Sequence, residues 1–230
     1  MAVKGPFLQR LLRRLVYAYY GRNILFELQL RARSQSADYA EANMAEATIF
    51  EDADAFRLDC LRRAPAGAIL EFGVLEGRSI SKIAKAAPAQ IVHGFDSFEG
   101  LPDDWAGHLE RKGAFTQKGR LPKVPPNVRL HPGWFKDTIP AWLAADPSKI
   151  GFMHVDCDIY ASARDVLWGT RERLQLGSII VFDEYFNYPG WRAHEFRALQ
   201  EFRTEFGLDY RYIAYTALGG SVAVEVTSLG

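Results

Sequence analysis

Only two cysteines, Cys60 and Cys157, occur in the 230 residues, too few and too far apart for a disulfide framework or a zinc site. A reducing cytoplasm is the compartment that usage predicts. Net charge is also missing: 28 Lys and Arg balance 28 Asp and Glu. Without a net field to gather polyanions, nucleic acid is not expected as a partner. No stretch approaches the ~20 consecutive apolar residues of a membrane span. The leucines near the start are interrupted by Arg10, Arg13 and Arg14, so the uninterrupted apolar run of a signal peptide is lacking as well. No internal repeat, low-complexity tract or long Gly/Ser linker divides the chain.

Apolar residues make up 48% of the sequence, enough to bury the core of one ordinary domain with an appended segment. Phe7, Leu8, Leu11, Leu12, Leu15 and Val16 recur at helical spacing opposite the arginines, which predicts an amphipathic helix with a basic face. Such a helix packs on the domain, pairs with a second subunit as a homo-oligomer, or makes a weak membrane-surface contact. A helical region is expected over 1–64, ending at Arg62-Arg63-Ala64-Pro65-Ala66-Gly67, and one α/β domain over 65–230.

Within that domain Ala68–Phe72, Ile91–Phe95, Val128–His131, Gly151–Val155 and Ser178–Phe182 read as buried strands. Helical patterns over Arg78–Ala87, Asp137–Ala145 and Ala161–Leu174 separate most of them, which implies right-handed crossovers and a doubly wound, mostly parallel sheet. After a helix over Trp191–Phe206, Tyr210–Tyr215 and Ser221–Thr227 flank a short turn, so the last strand should enter antiparallel, near an edge. The stretch Ser97–Pro126, rich in Gly, Pro and charge, is read as a lid on the substrate side.

Ligands of such sheets bind beyond the carboxyl ends of the strands. Glu71-Phe72-Gly73-Val74-Leu75-Glu76-Gly77 holds that position after the first strand of the domain. The fingerprint G-x-G-x-x-G is absent, and Glu71 and Glu76 would repel a diphosphate. Gly73 is expected to let a ligand approach the backbone, and Gly77 to let the next helix start close to the sheet. Asp96 ends the second strand, 25 residues after Glu71, where an acid can accept the hydroxyls of a ribose. A nucleoside carrying positive charge fits both acids, and S-adenosylmethionine is one.

Two further strand ends carry acids: Val155-Asp156-Cys157-Asp158 and Phe182-Asp183-Glu184-Tyr185. Carboxylates gathered at one rim need a counter-charge, and oxygen ligands suit magnesium or manganese. If strand geometry persists, Asp156 and Asp158 share a face, one to bind the metal and the other to take a proton. The competing role for Asp158 is capping the following helix. His93, His131 and His154 read as core histidines and Cys157 as a packing residue; Tyr160, Tyr185, Tyr188 and Trp191 form an aromatic wall or core.

Five stretches in order, ILEFGVLEGRS, HGFDSFEGLPDDW, HPGWFKDTIP, MHVDCDIYAS and IIVFDEYFNYPGW, resemble the macrocin O-methyltransferase-like (TylF-type) branch of class I S-adenosylmethionine-dependent methyltransferases. The likeness covers about residues 50 to 225. It implies a Rossmann-like sheet of seven strands with the last antiparallel, and metal-dependent O-methylation of a sugar or secondary-metabolite hydroxyl. It also implies that Glu71, Gly73 and Ser79 match the cofactor turn, and Asp96 and Ser97 the ribose and adenine side. Asp156, Asp183 and Glu184 match magnesium ligands, and Asp158 a general base. The rival readings are a metal-independent transferase and a non-catalytic cofactor-binding or interaction domain.

Overall fold

The computed structural model describes residues 5–230, with side chains from residue 8 onward except Ala18, so Phe7 of the expected apolar stripe lies outside the described side chains. Two helices come first, α1 (Gly5–Val16) and α2 (Ile24–Asn43), joined by a π-helical turn. The Asn23 side chain starts α2 by accepting a hydrogen bond from the Phe26 amide at 3.0 Å. Then follow β1 (Thr48–Phe50), α3 (Ala53–Arg63), β2 (Ala68–Phe72), α4 (Arg78–Ala86), β3 (Val92–Asp96) and β4 (Val128–Pro132). The chain continues through α5 (Phe135–Ala145), β5 (Ile150–Val155), α6 (Tyr160–Thr170), β6 (Ile179–Phe182), α7 (Glu195–Phe206), β7 (Leu208–Thr216) and β8 (Val222–Leu229).

Among the described residues the strands form one eight-stranded sheet in the order β1-β7-β8-β6-β5-β2-β3-β4, one strand more than expected. The addition is β1, which pairs parallel with β7 from within the N-terminal region. At three residues it is too short to show alternation in sequence. The reversed strand is the last, β8, antiparallel to both β6 and β7 and third from the edge.

Alternation along β2 divides its side chains between two layers. Leu70 and Phe72 pack with Phe95, Val155, Trp142 and Phe202 on the side of α5, α6 and α7. Ile69 packs with Phe56, Cys60, Ile80 and Phe152 on the side of α3 and α4. Residues 48–63 therefore share sheet and core with the α/β layers. Glu71 falls on the face of Ile69, fully buried. The chain runs outward from β2 to β4, then returns to add β5 and β6 on the opposite flank. That reversal, at the tips of β2 and β5, opens the crevice that holds the site.

Candidate functional site

Four strand tips, those of β3, β2, β5 and β6, are tied side by side. The Asp156 amide donates to the Phe72 carbonyl at 2.8 Å, Gly73 to Phe95 at 2.9 Å and Asp183 to Val155 at 2.9 Å. Gly73 is demanded by this crossing: its φ is +92°, and a Cβ there would stand 1.7 Å from the Asp156 carbonyl oxygen. The neighbouring backbone, more than a ligand, excludes any side chain. Gly77, also left-handed, opens α4.

Beyond the tips lies a cavity of about 590 Å³, the size of a cofactor site. Gly73, Leu75, Asp96 and Ser97 line one part of it, and Asp156, Asp158 and Glu184 another. Leu101, Trp105, His108, Glu110 and Phe115 of the Ser97–Pro126 stretch line it, and so do Trp134 and Phe135 at the start of α5. The aromatic wall thus comes from this stretch and from α5. Tyr185, Tyr188 and Trp191 are buried in the core, and Tyr160 donates instead to Glu201 at 2.5 Å.

Glu71, Val74, Gly77, Ser79 and Asp183 do not line the cavity. Glu71 is buried behind it, accepting from the Ser79 hydroxyl at 3.0 Å and from His154 Nδ1 at 2.9 Å. Asp96 joins the turn after β2 to the loop after β3. Its Oδ2 accepts the Val74 and Leu75 amides, both at 2.8 Å, and its Oδ1 the Phe98 amide at 2.7 Å. A carboxylate offers about four acceptor positions, so three are taken and Oδ1 keeps one for a ligand.

The acids fall into two electrostatic states. Asp183 Oδ1 accepts from Arg57 at 3.0 Å and from the Ser221 hydroxyl at 3.2 Å, and stands 3.6 Å from His154 Nε2, ion-pair separation without a hydrogen bond. Burial raises its pKa, but His154 and Arg57 outweigh that and bring it down to about 2. His154 is fully buried, which disfavours its charge, yet Asp183 and Glu71 on its two sides push it up to about 10. It is a buried imidazolium between Glu71, behind the turn after β2, and Asp183 at the acid rim. The line of alternating charge continues from Arg57 to Asp54 at 2.8 Å, and from Asp54 to Lys82.

Asp156, Asp158 and Glu184 lack such partners. Burial and then the charge of Asp183 raise all three: Asp156 well above the carboxylate range, Asp158 to about 7 and Glu184 to about 8. The strand ends at Val155, and Asp158 has a φ of +65°. The expected shared face of Asp156 and Asp158 therefore does not arise from strand alternation; the turn brings both to the cavity instead. Asp158 does not cap α6 either, whose N-cap, Ile159, carries no side-chain bond.

For a divalent cation the donors are right in kind: three oxygen-bearing acids without protein partners, each raised by its neighbours' charge. Their spacing is not that of a formed site. Among the described residues no three His, Cys, Asp or Glu side chains are gathered closely enough to hold one ion.

Sequence reasoning missed Arg57, which reaches the rim from α3, and Glu195. Glu195 is completely buried and accepts the Glu184 amide at 3.1 Å and the Cys157 amide at 3.4 Å, fixing the turns after β6 and β5. An acid in the first turn of a helix reads as a dipole partner, which conceals that role.

Comparison with known proteins places these features in context. The family model for macrocin-O-methyltransferase (TylF) matches residues 28–215. The mycinamicin III 3''-O-methyltransferase of Micromonospora griseorubida is 32% identical over 164 residues, 60% of this chain and 63% of the relative. The 8-demethyl-8-(2,3-dimethoxy-alpha-L-rhamnosyl)-tetracenomycin-C 4'-O-methyltransferase of Streptomyces olivaceus is 29% identical over 142 residues, 52% and 53% respectively. The chain spans about half the length of the curated relatives it matches. Among solved structures, the calicheamicin methyltransferase CalS11 superposes with a TM-score of 0.58 at 26% identity, covering 75% of this chain and 78% of that one. The O-methyltransferase NovP shares the fold, with a TM-score of 0.56 at 24% identity over 76% and 79%.

Proposed function

Because this chain belongs to the macrocin-O-methyltransferase family, we propose that it transfers the methyl group of S-adenosylmethionine to a hydroxyl of a small acceptor, a sugar or secondary metabolite, in the cytoplasm. The observation that carries this reading is the composition of one cavity: Gly73, Asp96 and Ser97 on one part of its wall, and Asp156, Asp158 and Glu184 on another. Relatives named as methyltransferases of a rhamnosyl-tetracenomycin and of mycinamicin support the acceptor class.

In this reading the cofactor lies against Gly73, Leu75, Asp96 and Ser97. Glu71, Val74, Gly77 and Ser79 hold the turn from behind. The acceptor hydroxyl sits beside Asp158, which takes its proton as the oxygen attacks the methyl carbon. The carbon–sulfur bond breaks, its electron pair stays on sulfur, and the sulfonium becomes a neutral thioether. A base with a pKa near the working pH suits that task, and Asp158 is raised to about 7 by burial and by the charges of Asp183, Glu110 and Asp96. The Ser97–Pro126 stretch acts as the lid, excluding water through Trp105 and Phe115.

Magnesium or manganese would be met by Asp156 and Glu184 on the cavity wall, with Asp183, held behind it by Arg57, as the third acid of the set, and would lower the pKa of a hydroxyl bound to it. A second reading, transfer without metal, is favoured by Arg57 and His154, which already supply Asp183 with positive charge. Calorimetric titration with S-adenosylmethionine, followed by methyl transfer to glycosylated acceptors over a magnesium series after chelation, tests both. Absence of cofactor binding removes the whole reading; full turnover in the chelated enzyme removes only the metal.

A further inference from the structure

Helix α1 carries apolar and basic residues on opposite sides, and the apolar side is open. Leu8, Leu11, Leu12 and Leu15 are 43–57% exposed and fall along one face at 3.6 residues per turn. Arg10, Arg13 and Arg14 occupy the other, within a stretch that contains no Asp or Glu before Glu27. Tyr17, Tyr19 and Tyr20 follow at the helix end, 56–63% exposed. Ile24, Leu25 and Leu28 of α2 continue the exposed apolar run. Contiguous apolar surface of this kind marks a contact site.

We propose that α1 is an interfacial anchor that lies on an anionic lipid surface. Its leucines enter the boundary between headgroups and acyl chains while its arginines meet the phosphates. An amphipathic helix with cations on its polar face gains from both terms, apolar burial and attraction to anionic lipid. Tyrosines are suited to the same level of the membrane, with a ring in the apolar zone and a hydroxyl in the wet one. Charge decides against a second copy of the chain as the occupant. Pairing α1 with itself through the leucines would leave Arg10, Arg13 and Arg14 on the outer faces with no carboxylate from either helix to meet them, whereas an anionic surface supplies their counter-charge. The inference is independent of the methyl-transfer reading.

Sedimentation of the full chain with vesicles tests it, using phosphatidylcholine alone and phosphatidylcholine with phosphatidylglycerol. The protein is expected to pellet with the anionic vesicles and stay in solution with the neutral ones. Each of Arg10→Gln, Arg13→Gln and Arg14→Gln should lower the partition coefficient roughly fivefold, the value for one basic residue near an anionic surface. Leu11→Glu with Leu15→Glu should abolish pelleting while the melting temperature and S-adenosylmethionine affinity stay at the wild-type values, which separates loss of the anchor from loss of the fold. Equal pelleting with both vesicle types, or no effect of either set of substitutions, overturns the proposal. So does a dimer in sedimentation equilibrium that Leu11→Glu dissociates, if the wild-type chain ignores anionic vesicles.

Discussion

Asp158 and Asp183 are both acids at strand ends, yet their surroundings push them apart. Asp183 faces Arg57 and His154 and stays ionised, while Asp158 faces only carboxylates and is raised to about 7. A pair split in this way supplies a fixed charge and a proton acceptor at one rim. Asp158→Asn should lower kcat by about 10² to 10⁴, the usual worth of a general base, with the cofactor Kd unchanged. In the wild type kcat should fall as pH drops below about 7, because the protonated acid cannot accept a proton; a flat profile, or a variant at full speed, excludes this role. Arg57 supplies the other half of the contrast. With side chains only 13% and 24% exposed, breaking the Arg57–Asp183 pair leaves Asp183 with His154 as its remaining cation, and Arg57→Met should cost about 2 kcal/mol in urea unfolding, the scale of a lost hydrogen bond to a charged group. A loss below about 0.5 kcal/mol would mean that the pair behaves as an exposed one.

At the scale of elements, β3 and β4 carry a pair of stacked imidazoles at the sheet edge, His93 Nδ1 and His131 Nε2, 3.0 Å apart. Burial, and then the neighbouring His93, holds His131 down at about 4, against 6.5 in the unfolded chain. Between those values the unfolded chain binds a proton that the folded one refuses, so this site removes stability as pH falls from about 6.5 to about 4. Above 6.5 it contributes no slope. Melting of the wild type and of His131→Phe across that window should show a shallower acid decline in the variant; parallel curves would contradict it. The same elements show what is legible in sequence. β2 is an apolar run between Gly67 and Gly73 broken only by Glu71, so its limits, Ala68–Phe72, could be read directly. β1 could not, since three residues with an exposed, exposed, half-buried pattern carry no period. Asp156, Asp158 and Glu184 were identifiable because each follows a buried strand. The route by which Asp158 reaches the cavity was hidden, because a turn with positive φ interrupts the alternation. Arg57 was illegible for another reason: its partner is 126 residues away in sequence, and no local pattern encodes that distance.

The whole molecule brings two sources of side chains to one crevice. The rigid sheet positions the acids, and the long Ser97–Pro126 stretch adds the aromatic cover. That stretch is held by its own backbone bonds, Leu101 to Ala114 and Gly113 to Leu101, both 2.9 Å, and by His194 Nε2, which donates to the Ala106 carbonyl at 2.8 Å. Trp105 and His108 stack with ring centroids 4.0 Å apart over this side of the cavity. Trp105→Ala should therefore raise the acceptor KM by about two- to tenfold, the scale of a lost aromatic contact of about 0.5–1.5 kcal/mol, and leave the cofactor Kd where it was. A change in cofactor Kd alone would place the tryptophan on the wrong side of the reaction. The central claim is that donor and acids share this one crevice. A crystal structure with S-adenosylhomocysteine tests it most directly: the account predicts the nucleoside against Gly73, Asp96 and Ser97, with the sulfur directed at Asp158. A ligand bound elsewhere, or one whose sulfur points away from Asp156, Asp158 and Glu184, would contradict it.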